Sequence, residues 1–428
     1  MLRRGLATRG GDGSGVSADS HVIDQPARAP ARAWAIVGAL SITDTVSWGI
    51  LYYAFAVFLL PMQRELGFST AQLTGAFSLA LLISAAAGIG IGRYLDTRSP
   101  RALMTAGSIA GTVLVLAWSR VESMAALYAL WVGIGLVMST VLYEPAFAVL
   151  AKWFPFAEQR RRALTTLTLV AALASFIFLP LSQALIDAHG WRDALVVLAL
   201  ILAAITIPLH ALVLRKAPER EPEPHRAAPA SSASDALRSR PFWLLASAYC
   251  LATFTGIAMT VLGIPFLLER GYSAPFAAFA VGLIGISQVP GRAVFAALAA
   301  RLPAAWTTAG VFALIALGIG VVVGVHGTAA VIAGLVLLGM GNGMTTLSRA
   351  TVIADRYGAA AYGTIGGVAA AFTTGARAIG PVTAAAYAAL VGYPSLLWTL
   401  AALALVAAVL AFRAETAQPP ELTRAGVH

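Results

Sequence analysis

Long apolar runs alternate with short polar connections along most of this 428-residue chain. Within each run the apolar residues are continuous, without the strict alternation of barrel strands, so the pattern predicts helices. A helix crosses a bilayer core with about 20 apolar residues. That ruler predicts twelve crossings, near residues 34–60, 70–92, 102–119, 123–150, 163–187, 193–214, 242–268, 275–299, 305–325, 328–354, 362–390 and 394–412. The expected fold class is therefore an all-α membrane protein, because a helix in lipid satisfies its own backbone groups. The Gly and Ala content of the runs suits close helix packing in that solvent.

The polar connections predict an orientation. Of 29 Lys and Arg residues, 22 fall in the terminal segments and in the loops after even-numbered crossings. Only Arg64, Arg120, Arg192 and Arg270 fall in the other set of connections. Such a bias places both termini in the cytoplasm, with the protein in the cytoplasmic (inner) membrane. Residues 1–33 are rich in Gly, Ala and Arg and lack an apolar core, so they read as a flexible cytoplasmic tail rather than a signal peptide. "RKAPEREPEPHRAAPASSASDALRSRP" (residues 215–241) reads as a flexible cytoplasmic linker between two six-helix bundles, 34–214 and 242–413, and 414–428 as a second cytoplasmic tail. The bundles repeat each other at an offset of about 200 residues: "ELGFS" (65–69) returns as "ERGYS" (269–273), "MTAG" (104–107) as "TTAG" (307–310), "GIG" (133–135) as "GMG" (339–341). "FLPLSQALIDAHGW" (178–191) likewise parallels "IGPVTAAAYAALVGY" (379–393). Duplicated bundles of this kind enclose a site near the midplane.

Composition then narrows the function. With 59% hydrophobic and 11% charged residues, a soluble fold is excluded. The net charge of +10 belongs to the orienting loops, so lipid rather than nucleic acid is the expected partner. Cys250 is the one cysteine and lies in an apolar run, which rules out a disulfide framework or cysteine metal cluster. "GMGNG" (339–343) lacks a P-loop lysine and sits within a crossing, so no nucleotide is expected. The six His are scattered and no paired-carboxylate motif appears, which argues against an enzyme. No cofactor or metal is expected.

Ionisable residues inside the crossings carry the candidate chemistry, since each costs ~2.5–3.5 kcal/mol at a helix centre. Asp44 lies near mid-depth in the first run, and Ser41, Thr45, Trp48 and Tyr52 share its face by helical spacing. That stripe suits a water-filled cavity, with Asp44 a proton-titrating or substrate-contacting carboxylate; the other reading is an Asp hydrogen-bonded to neighbouring hydroxyls. Glu144, followed by Pro145 in the fourth run, is either a cavity carboxylate or a gate-region ion pair near the cytoplasmic end. Arg349 in the tenth run lies at similar depth, with Asn342, Thr345 and Thr346 on its face, and could instead snorkel to the interface. Arg377 in "TTGARAIGP" (373–381) could hold a carboxylate through paired N–H groups, or could pair with Asp44 or Glu144. Arg292 reads as a cytoplasmic-end anchor, and Gln288 and Asn342 as cavity contacts or interhelical glue.

"GRYLDTRSPR" (92–101) resembles the loop 2–3 motif of the major facilitator superfamily of secondary transporters, Gly-x-x-x-Asp-basic-x-Gly-basic-basic. Gly92, Asp96 and Arg101 match, whereas Thr97, Ser99 and Pro100 depart. The resemblance covers residues 34–413 and implies two pseudo-symmetric six-helix bundles moving against each other. It implies that Asp96, Arg98 and Arg101 latch the halves on the cytoplasmic side. The second-half counterpart "PGRAVFAALAAR" (290–301) keeps Gly291, Arg292 and Arg301 without the aspartate. The resemblance also implies that the first, fourth, seventh and tenth crossings line the cavity, bringing Asp44, Glu144 and Arg349 inward. A Glu144–Arg349 ion pair across the halves is then expected, because unpaired each would be costly. "DTVSWGILYYAFAVFLLPM" (44–62), "YEPAFAVLAKWFPFAEQRRRAL" (143–164) and "GWR" (190–192) resemble the monocarboxylate and oxalate/formate-type branch. "ASFIFLPLSQ" (174–183) has Pro180 without the glycines of the drug–proton antiporter motif, and no Arg precedes Gly133 where sugar–proton symporters carry one. The expected function is secondary active transport of a small organic solute, a monocarboxylate-like anion first, coupled to protons and carried out by a monomer. The alternatives are efflux of a toxic or amphipathic compound and, more remotely, a membrane-embedded enzyme or non-transporting sensor.

Overall fold

The computed structural model describes residues 30–218, 233–358 and 361–417, and among them there are helices and no strands. The first crossing runs from α1 (Ala31–Ser47) through a π-helical segment, Trp48–Tyr53, into α2 (Ala54–Leu66). Next come α3 (Thr70–Thr97), α4 (Pro100–Trp118), and a fourth crossing split into α5 (Met124–Val141) and α6 (Tyr143–Trp153). The split follows from Pro145: with no N–H it cannot bond the Val141 carbonyl, and the helix breaks at Leu142 (φ −91°, ψ −162°). α7 (Ala157–Ala171) and α8 (Ala174–Pro208) complete the first half, the latter ending in a π-helical segment, Leu209–Val213. From Ala157 to Val213 the apolar stretch is 57 residues, about 85 Å of helix and too long for one crossing. It turns back at Gly190, whose φ of 78° only glycine adopts freely.

The second half holds a short α9 (Ala233–Arg238), then α10 (Arg240–Glu269), α11 (Ala274–Ala299), α12 (Ala304–Gly324), α13 (Thr328–Tyr357), α14 (Tyr362–Val391) and α15 (Tyr393–Thr416). α14 packs against α3 and α10 and also turns Ile379, Val382 and Leu390 outward. Among the described residues the crossings number the expected twelve.

The sequence repeats mark equivalent turns. "ELGFS" and "ERGYS" each place a positive-φ glycine, Gly67 (71°) and Gly271 (85°), before a serine that starts the next helix. The Ser69 hydroxyl accepts from the Gln72 N–H while the Gln72 carboxamide oxygen accepts from the Ser69 N–H, a reciprocal cap. Gly190 and Gly392, φ 78° and 81°, make the same reversal before Trp191 and Tyr393. Near this end the Arg192 and Trp191 side chains donate to the Glu65 carboxylate, holding it below the usual carboxylate range.

Three boundaries move. The expected N-terminal tail loses its last residues to α1, and residues 1–29 lie outside the described ones. Within the expected flexible linker, Ala233–Arg238 is helical with Ala236 buried, whereas residues 219–232 lie outside the described ones. α15 extends to Thr416 into the expected C-terminal tail, whose residues from 418 also lie outside.

The halves meet chiefly through α3 with α14, α6 with α14, and α7 with α11 and α13. Each of these contacts draws on the helix ends beside the arginine-rich loops, called here the basic end. Gly92 and Gly363 cross so closely that a Cβ on either would collide with the other's carbonyl, and Gly367 lies against Gly88 one turn further in. The Asp96 carboxylate accepts the Gly363 and Thr364 N–H groups at 2.8 Å each and the Thr364 hydroxyl at 2.5 Å. It thus caps, from the other half, the N-terminus of α14, where orphan donors and the helix dipole both favour an anion. Beside it Arg160 pairs with Asp355, and Arg161 donates to the Ala299 carbonyl at 3.2 Å. Arg98 lies over its own neighbour Tyr94 at 5.4 Å, and Arg101 is exposed, so neither reaches the other half. The expected three-residue latch is a correction: in this motif Asp96 alone makes it, and the second half, lacking a matching aspartate, is fastened through α7.

Candidate functional site

Two adjoining chambers lie between the halves. The larger, about 580 Å³, reaches Leu179, Ile264 and Val281 near the end opposite the basic one. The smaller, about 100 Å³, lies against Glu144 and Arg349. Trp48, Tyr52, Tyr143, Thr345, Thr346 and Arg377 border both, so they form one stepped cavity.

The wall is aromatic because the first crossing changes pitch. In the π-helical segment the helix widens to more than four residues per turn, so Tyr53 as well as Tyr52 comes round to Trp48. The Trp48 ring lies 5.1 Å from Tyr52, 6.3 Å from Tyr53 and 5.0 Å from Tyr143. Gly49 behind them gives room to Phe178, whose ring a Cβ there would strike. The Trp48 indole N–H is buried without a partner. Spacing by i, i+4 finds Tyr52 but misses Tyr53; the tandem tyrosines beside Gly49 were the available signal.

Glu144 and Arg349 form the expected pair. The guanidinium grips the carboxylate through both Nη atoms, at 2.5 and 3.3 Å, across the two halves. Arg349 is 8% exposed and held in place, so the snorkelling alternative is overturned. Glu144 sits in the first turn of α6, where the break at Leu142 supplies a helix N-terminus to favour its charge.

Arg377 differs. It is half-buried, borders both chambers, and is joined to no described residue by a hydrogen bond or ion pair. The alternative pairing with Asp44 or Glu144 is not made: Glu144 is engaged by Arg349, and Asp44 stands alone.

Asp44 is fully buried, and neither carboxylate oxygen has a hydrogen-bond partner. It does not border the cavity. The polar stripe divides: Trp48 and Tyr52 face the chamber, whereas the Ser41 and Thr45 hydroxyls donate back to the Val37 and Ser41 carbonyls at 2.7 Å. Asp44 is thus sealed one helical turn below Trp48.

Asn342 and Gln288 border the larger chamber. Asn342 packs where Gly256 has no side chain, since a Cβ there would come within 3.0 Å of its Cγ. Arg292 is a second correction. Its place seven residues before the end of α11 suggested an anchor, yet it is 6% exposed, borders the larger chamber, and donates to the Thr168 carbonyl of the other half at 2.5 Å.

Two six-helix halves, fastened at one end around a cavity of aromatic rings and guanidiniums, define a membrane carrier rather than an enzyme. The Major Facilitator Superfamily profile matches residues 40–381, and the chain belongs to that superfamily of transporters. It is 26% identical over 231 residues to the oxalate:formate antiporter of Oxalobacter formigenes, the match covering 52% of this chain and 53% of that one. Monocarboxylate transporter 13 of Bos taurus is 28% identical over 330 residues, covering 73% of this chain and 72% of the relative. An MFS-type efflux pump of Mycolicibacterium smegmatis is 29% identical, covering 60% and 61%. Among solved structures the fold matches the transporter FucP in its outward conformation, with TM-score 0.70, 17% identity, and coverage of 89% of this chain and 99% of that one. The chain spans about half the length of the oxalate:formate antiporter it matches.

Proposed function

We propose that the protein is a secondary active transporter that moves a small monocarboxylate-like anion by alternating access, coupled to protons. Arg377 carries this reading: a guanidinium bordering the cavity, with no hydrogen bond or ion pair to a described residue, calls for an anion. A carboxylate between its paired N–H groups, with the Trp48 indole N–H as a further donor, supplies one. The likeness to the oxalate:formate antiporter and the monocarboxylate transporters supports the same class. The basic end, where both ends of the described chain lie, is assigned to the cytoplasm of an inner membrane by the bias of Lys and Arg. The cavity then opens outward in this state.

Coupling falls to the three acids and bases that change surroundings. Opening the basic end separates Glu144 from Arg349, and breaking a buried pair without replacement costs about 3–5 kcal/mol. A substrate carboxylate and the released Asp44 are the available substitutes. In the closed state an ionised Asp44 would stand fully buried with no hydrogen-bond partner among the described residues, so a proton on it removes a penalty of several kcal/mol. Return to the cytoplasm rehydrates the acid and frees that proton.

Uptake of labelled short-chain monocarboxylates into proteoliposomes under an imposed proton gradient tests the reading. Saturable accumulation that collapses with the gradient supports it; movement of none of them contradicts it. The four aromatic rings and the efflux-pump relative favour export of amphipathic compounds as a second reading, which dye extrusion in the same vesicles would detect.

A further inference from the structure

A third cavity, about 460 Å³, lies at the basic end between the first half and the start of the linker, away from the central one. Arg98, Lys152, Arg215 and Lys216 border it, as do Leu95, Val149 and Trp153. Asp96 also borders it; its carboxylate accepts from the start of α14, and its charge offsets part of that of Lys152. Arg98, Lys152 and Arg215 form no ion pair with a described residue. Arg98 rests on the Tyr94 ring and Arg215 donates to the adjacent Leu214 carbonyl, which leaves further guanidinium N–H groups on each. Lys152 Nζ donates to the Leu95 and Asp96 carbonyls at 2.6 and 2.7 Å, with a third N–H to spare. Arg98, Lys152 and Arg215 about one cavity repel each other, and an anion with several acceptor oxygens relieves that repulsion.

We propose that this cavity binds the phosphodiester headgroup of an anionic phospholipid from the adjoining leaflet. Its basic rim beside an apolar wall that includes the Trp153 indole matches a headgroup attached to acyl chains better than a free, fully hydrated phosphate. The site also touches the mechanism of closure. Lys152 braces the turn of α3 that presents Asp96 to α14, so a phosphate held by Lys152 stiffens the turn bearing the latch. Anionic lipid therefore favours the state fastened at the basic end.

The test measures lipid retained by the purified full chain in detergent, by native mass spectrometry, with phosphatidylglycerol against phosphatidylcholine. The expected result is preferential retention of phosphatidylglycerol, with apparent affinity falling about thirtyfold in Arg98→Gln/Arg215→Gln as two basic contacts are lost. Arg101→Gln, an exposed arginine outside the cavity, should retain the lipid as the unaltered chain does. If the double variant fails to fold, Arg215→Gln alone should still weaken retention several-fold. Equal retention of both lipids, or undiminished retention in the variants, overturns the proposal. Displacement of the lipid by millimolar inorganic phosphate would also overturn it, by making the site one for free phosphate.

Discussion

Arg377 holds the substrate in this account because every other guanidinium bordering the cavity already has an oxygen: Arg349 has Glu144, and Arg292 has the Thr168 carbonyl. Arg377→Lys keeps the charge but loses the planar fork, so substrate affinity should fall about tenfold. The concentration dependence of solute exchange measures this, and unchanged half-saturation would return Arg377 to a structural role. Asp44→Asn should preserve substrate exchange while abolishing accumulation driven by a proton gradient and flattening its pH dependence. A variant that still accumulates solute against the gradient would remove Asp44 from proton coupling. At this scale the sequence picks out Glu144, Arg349 and Arg377, which border the cavity, since an ion in lipid stands out in any apolar run. It was a poorer guide to their surroundings. Helical spacing places Asp44 on the face of Trp48 but cannot show that a turn of packed helix seals it from the cavity. Arg292 was misjudged because distance from a helix end does not reveal that α7 comes across to meet it.

Elements decide where the halves can touch. α3 and α14 approach through glycines at matching heights, Gly92 on Gly363 and Gly88 on Gly367, so backbone meets backbone and Asp96 reaches the start of α14. Gly92→Ala would place a methyl group into the Gly363 carbonyl and force the basic end apart. It should leave folding in detergent intact and raise the reactivity of a cysteine placed at the inner face of this contact several-fold; reactivity equal to that of the unaltered chain would show that the crossing does not hold the closed state. Pitch is the feature least legible here. The twelve runs are plain in the pattern, and the glycine–serine and glycine–aromatic turns of the repeats mark their ends. The π-helical segment at Trp48–Tyr53 depends on how Phe178 packs against Gly49, which no local pattern encodes.

The whole molecule is a pair of rigid halves whose polar fastenings gather at one end: Asp96 on α14, Arg160 on Asp355, Arg161 on the Ala299 carbonyl, and Glu144 on Arg349 just beneath. In the proposed cycle all of these fastenings release together as the halves rock. Between them they leave Arg377 with no ion pair and Asp44 with no hydrogen bond among the described residues, the two positions proposed to be filled by a substrate and a proton. The account stands on that joint filling. Spin-label distances across the two ends of the reconstituted protein, taken with and without a transported monocarboxylate at acid and neutral pH, test it most directly. The account predicts that substrate and acid together lengthen distances at the basic end and shorten them at the other, with Arg377→Gln abolishing the change. Distances that stay fixed under all four conditions, or that shift equally in the variant, would contradict it.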